Sequence, residues 1–144
     1  IEDNFPKVDL VDFNPVFKAH IYFVYLNHKQ DSKEGVVHYK TLACSSKEKA
    51  IFEVDKITNA LLSCSDLESF NLLLHTHENV ISELIKMPTV HKKLFSEYDK
   101  GVVKSLGAWG GDFVMVTVTD KIDLDYFIAK GFVTIFSFDA MLLR

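Results

Sequence analysis

A chain of 144 residues with 48% apolar content is long enough to bury one core, and a single compact domain is the expectation. The formal net charge of −4 is spread over interspersed acidic and basic residues, which leaves no basic field to draw in a nucleic-acid backbone. The longest apolar runs, His20–Leu26 and Phe113–Val118, fall far short of the roughly 20 residues of a membrane-spanning helix, and no secretory signal is readable, so a soluble cytoplasmic protein is expected.

Residues 1–18, with Pro6 and Pro15 among scattered acidic and apolar residues, are expected as a lead-in segment able to form an edge strand, ahead of a domain over 19–144. His20–Leu26 is almost continuously β-branched or aromatic and predicts a mid-sheet strand. A polar loop, Asn27–Gly35, follows, and Val36–Leu42 fits either a short helix or a strand. Two S-x-x-E patterns, Ser45–Glu48 and Ser65–Glu68, predict capping boxes that open two helices. Ile51, Val54, Ile57 or Thr58, and Leu61 form the apolar stripe of the first; Phe70, Leu74, His77, Ile81 and Leu84 form that of the second. Met87-Pro88 breaks the second helix, and a shorter one is expected around Val90–Tyr98.

After the turn Asp99-Lys100-Gly101, the segments Val102–Leu106 and Phe113–Val118 predict a pair of strands around a glycine loop. Asp120 or Asp123 is placed to cap a helix running to Lys130, Gly131 to end it in a left-handed conformation, and Phe132–Phe138 to form the last strand. This succession is an α+β fold of the ferredoxin-like split βαβ type, βαββαβ, with extra helices in the first crossover and an antiparallel sheet carrying helices on one face.

Gly107, Gly110 and Gly111 lie within five residues. Such a run lets the backbone take positive φ and aim successive amides at an anion, and it equally suits a tight turn between antiparallel strands. Trp109 places a large aromatic at the tip, and Asp112 a carboxylate at the exit. Elsewhere, His75 and His77 stand two apart on a helix and so face different ways, and with His91 they predict ordinary helix histidines and no metal site. Glu78 and Glu83 read as a solvated face, and Cys44 and Cys64 as reduced, partly buried thiols.

The string Lys104-Ser105-Leu106-Gly107-Ala108-Trp109-Gly110-Gly111-Asp112 resembles the third motif of the GHMP kinases (galacto-, homoserine, mevalonate and phosphomevalonate kinases), in which a G-A-G-G-G core lies between two strands. The Gly-Gly-Asp ending is most similar to the phosphomevalonate and diphosphomevalonate members. The longer S-L-G-A-W-G-G-D-F string resembles an uncharacterised Bacteroidetes-type branch, and the likeness runs from about Ala19 to the C-terminus.

The resemblance implies a C-terminal, substrate-binding domain of an ATP-dependent kinase that phosphorylates a hydroxyl or phosphate of a small metabolite. It makes Gly107, Ala108, Trp109, Gly110, Gly111 and Asp112 substrate- or phosphate-binding elements. Lys29, Gln30 and Ser32 resemble a polar segment facing the acceptor in phosphomevalonate-type members, although a plain solvated loop fits them as well. Trp109 replaces a glycine usual in the family and narrows the space beside the acceptor; Leu106 replaces a small polar residue and removes a hydroxyl contact. The family's ATP-binding run, P-x-x-x-G-L-G-S-S-A, has no counterpart between Ile1 and Arg144. No catalytic residue is therefore assigned in this chain. ATP and Mg2+ are expected to be used by the intact protein and held by an N-terminal lobe, this chain being the C-terminal half. The alternative is a non-catalytic ferredoxin-like binding or assembly module.

Overall fold

The computed structural model describes Val8 and residues 10–27, 33–107 and 111–142. Its sheet is formed by β1 (Ile21–Tyr25), β2 (Val103–Ser105), β3 (Phe113–Thr117) and β4 (Ile135–Ser137), in the spatial order β2-β3-β1-β4 with every pairing antiparallel. β1 and β2 run parallel with β3 inserted between them, which is the split βαβ arrangement expected from the element order. The register sets Tyr22 opposite Val116, Val24 opposite Val114, and Ser105 opposite Val114 on its other side.

The crossover from β1 to β2 contains α1 (Lys33–Thr41), α2 (Cys44–Leu62), α3 (Leu67–Ile85) and α4 (Val90–Leu94). The ambiguous Val36–Leu42 stretch is thus helical. The predicted capping box at Ser45 does not form: α2 opens two residues earlier, with Ala43 as its cap and no side-chain hydrogen bond. Only Leu42 and Ala43 separate it from α1, so the tight helix–helix turn sets the start. α3 is capped by Asp66 rather than Ser65; the Asp66 carboxylate accepts from the Ser69 amide at 2.7 Å. Lys86 ends α3 in the left-handed region at φ 54°, two residues before Pro88. Thr89 then caps α4 by accepting from the Lys92 amide.

Past β3, the predicted helix is divided into a 3-10 turn, Lys121–Leu124, and α5 (Asp125–Ala129). Both aspartates contribute: the Asp123 carboxylate accepts from the Thr119 and Asp120 amides, and Asp120 caps the turn in a reciprocal box. Gly131 takes φ 90° as expected. The last strand is shorter than predicted, because Phe138 turns inward to open α6 (Phe138–Met141). Residues 10–17 form no strand; Phe13 and Phe17 pack their rings on Phe70 of α3, with centroids 6.2 and 4.9 Å away.

Alternate residues of the sheet feed two apolar clusters. Ile21, Phe23, Phe113 and Met115 meet Phe17, Phe70 and Leu74, so α3 closes one face, with α2 contributing Leu61 behind it. Val24, Val103, Val114 and Val116 meet Phe95, Tyr98, Leu124 and Phe127, which fill the other. In α2 the buried line is Ala50 and Ile57 flanked by half-buried Val54 and Leu61, while Ile51 is 51% exposed. No helix of the described residues is long and apolar enough to cross a membrane.

Candidate functional site

The glycine loop joins the outer strand β2 to β3. Gly107 takes φ 66°, with open space where a Cβ would project, so this position needs glycine for its dihedral alone. Gly111 needs it for proximity: a Cβ there would lie 2.7 Å from the Leu106 carbonyl oxygen. Its amide donates to that same oxygen at 3.1 Å and closes the loop. The Asp112 carbonyl then accepts from the Leu26 amide at 2.8 Å, immediately past the end of β1. Of the loop residues singled out by sequence, Gly107, Gly111 and Asp112 are thus located, and Ala108, Trp109 and Gly110 lie outside the described residues.

Three connections meet at this end of the sheet. Asn27, left-handed at φ 61°, leads into the segment that contains Lys29, Gln30 and Ser32, three residues that lie outside the described ones. The Asn27 side-chain amide donates to the Gly131 carbonyl at 2.9 Å, and the Tyr25 amide donates to Thr134 at 2.9 Å. The Tyr25 and Phe113 rings pack 5.1 Å apart beneath. The mouth of the glycine loop, the start of the polar loop and the α5–β4 connection are therefore tied by hydrogen bonds into one edge of the molecule.

The base of the loop carries a polar cluster that the sequence reading missed. Glu78, expected on a solvated face, is buried; its Oε1 accepts from Lys104 Nζ at 3.0 Å and its Oε2 from Ser105 Oγ at 3.0 Å. A glutamate on the polar side of a helix carries no local sign of burial, since its partners come 26 and 27 residues later. On the same face, Thr117 Oγ1 accepts from the Val102 amide at 2.8 Å and donates to Asn71 of α3 at 2.7 Å. Beside Lys104, the half-buried His77 is pulled down to about 4 by burial first and by the lysine charge second, and its Nδ1 finds no hydrogen-bond partner among the described residues.

Two further histidines, on α3 and α4, are engaged locally. His75 accepts from the Asn79 side chain at 3.1 Å, and His91 Nε2 donates to the Tyr98 carbonyl at 3.0 Å. Both border a cleft of about 60 Å³ between α3, α4 and β2, together with Glu78 and Lys92. Among the described residues, no group of three His, Cys, Asp or Glu side chains is placed to hold a metal ion.

No family profile matches the sequence, and no curated protein matches it. Among solved structures, a crystal structure of mevalonate kinase aligns with 81% of this chain at a TM-score of 0.60 and 19% identity. The fold is similar to that of part of this mevalonate kinase. The chain spans 38% of that kinase's length. At this identity the likeness establishes the architecture, the ferredoxin-like layout that mevalonate kinase shares, and leaves the chemistry to the residues themselves.

Proposed function

We propose that this chain is the substrate-binding, C-terminal domain of a GHMP-type ATP-dependent kinase that transfers a phosphoryl group to a hydroxyl or phosphate of a small, mevalonate-pathway-like metabolite. The observation that carries the proposal is the glycine loop itself: one glycine is required by its dihedral and another by close approach, at the sheet end where the β1 loop begins, within a fold shared with mevalonate kinase. In this reading Gly107 and Gly110 offer backbone amides to the phosphate or carboxylate of the acceptor, while Gly111, whose amide is used within the loop, lets the backbone pass close to Leu106. Ala108 and Trp109 bound the space it occupies, Asp112 flanks the exit, and Lys29, Gln30 and Ser32 supply polar contacts from the neighbouring loop. Phosphoryl transfer needs positioning and charge stabilisation more than covalent chemistry, which is what such a cradle provides.

Among the described residues no three His, Cys, Asp or Glu side chains are grouped to hold a metal ion, and no step is assigned to one. ATP and Mg2+ belong, in this reading, to an N-terminal lobe outside this chain, in a cytoplasmic protein of two lobes. The test is ADP release by the intact protein with mevalonate, phosphomevalonate and sugar alcohols as acceptors. Turnover with at least one acceptor is expected, and Gly111→Val in a folded protein should lower it by about a hundredfold or more. Unchanged turnover in folded protein carrying Gly110→Val and Gly111→Val would overturn the role of the loop. No turnover with any acceptor would favour the non-catalytic binding module.

A further inference from the structure

Glu78 is 3% exposed, and both of its carboxylate oxygens are used. The residues it grips, Lys104 and Ser105, are consecutive on β2, so their side chains leave the strand on opposite sides. Both nevertheless converge on one carboxylate, which ties two successive residues of the outer strand, and a roll or slide of β2 disturbs these bonds. The same Lys104 ammonium also donates to the Ser105 carbonyl at 2.7 Å. That carbonyl and the Leu106 amide share one peptide plane, so fixing the oxygen fixes the plane. The next oxygen along the chain, that of Leu106, is the acceptor on which Gly111 closes.

A buried ion pair is a poor source of stability, because desolvation offsets most of the attraction and an apolar pair of similar volume does as well. What such a pair does well is fix geometry at one place. Here the place is two residues before Gly107. We propose that Glu78 is a positioning residue for the glycine loop: through Lys104 and Ser105 it sets the Ser105–Leu106 peptide, and with it the carbonyl against which the loop closes. The geometric claim stands independently of the proposed function, and only its consequence for acceptor binding rests on the kinase reading.

The experiment compares the intact protein with the double variant Glu78→Leu/Lys104→Met, which removes both charges together, and with Ser105→Ala, which keeps the ion pair and removes one grip. Thermal unfolding and amide hydrogen exchange are measured on each. The expected result is a melting temperature close to that of the parent with exchange at the Gly111 amide faster by about threefold to tenfold, the loss of one hydrogen bond's worth of local stability. Unchanged Gly111 exchange in either folded variant would sink the proposal. Should the double variant fail to fold, Ser105→Ala decides alone. With an acceptor identified, the same variants should raise its KM while leaving kcat nearly unchanged. Absence of turnover in the parent protein would count against the kinase reading and leave the exchange result to decide the role of Glu78.

Discussion

The two faces of the sheet are held in different ways. Under Phe95, Tyr98 and Phe127, the contacts are aromatic rings on valines: Phe95 and Phe127 pack edge to face with centroids 5.2 Å apart, and Val114 and Val116 are fully buried. Under α3, the apolar contacts of Phe70 and Leu74 are interrupted by polar ties, Asn71 to Thr117 and Glu78 to Lys104 and Ser105. Apolar packing is non-directional and tolerates small shifts, whereas hydrogen bonds between buried groups hold one arrangement. The first face supplies stability; the second fixes where β2, and hence the glycine loop, is placed.

The largest test of that contrast is Phe127→Ala, on the face built of aromatic rings and valines. Phe127 is fully buried, and its truncation should cost about 3–5 kcal/mol in denaturant unfolding. A loss below about 1 kcal/mol would mean that the face collapses around the cavity and is not the main source of stability. A smaller effect is expected from Thr117→Val, which keeps shape on the α3 face but removes the acceptor for the Val102 amide and the donor to Asn71. The expected cost is about 1–3 kcal/mol, the penalty of leaving a buried amide unmatched, and a neutral result would show the polar ties to be dispensable.

The smallest effect is a pH dependence on the same face. His77 has a folded-state value of about 4, below its ordinary 6.5, so the unfolded chain binds the proton more tightly. Stability from this group is therefore complete above about pH 6.5 and is lost as the pH falls toward 4. Melting temperatures taken between pH 7.5 and 4.5 should show a decline that His77→Gln reduces. A decline of the same slope in the variant would assign it to other groups.

Much of this comparison could be read in the sequence, and the part that could not has a physical reason. The strands, the break at Pro88 and the left-handed Gly131 follow from local propensity and backbone sterics, and all three are found near their expected positions. Helix starts were less legible: Ser65-Asp66 offers two adjacent capping side chains, and the one that caps is settled by where the chain arrives from α2. Phe138 has the composition of a strand residue, yet it joins the cluster of Phe17 and Phe70 and opens a helical turn. In the loop, the need for glycine at positions 107 and 111 was legible because a turn's conformational demands are local. Glu78 was not, because burial of a charge is decided by partners on a distant strand.

The reach of Lys104 along its own strand has a further consequence, for how the molecule behaves in a crowd. The Thr117 amide bonds to the Val102 carbonyl, so alternation along the ladder turns the Ser105 carbonyl away from β3, toward the open rim of the sheet. An unpaired rim carbonyl is an invitation to a passing strand from another chain. Here it is already taken by the lysine ammonium at 2.7 Å, on a strand only three residues long. The rim next to the glycine loop is thereby made a poor template for strand-to-strand aggregation.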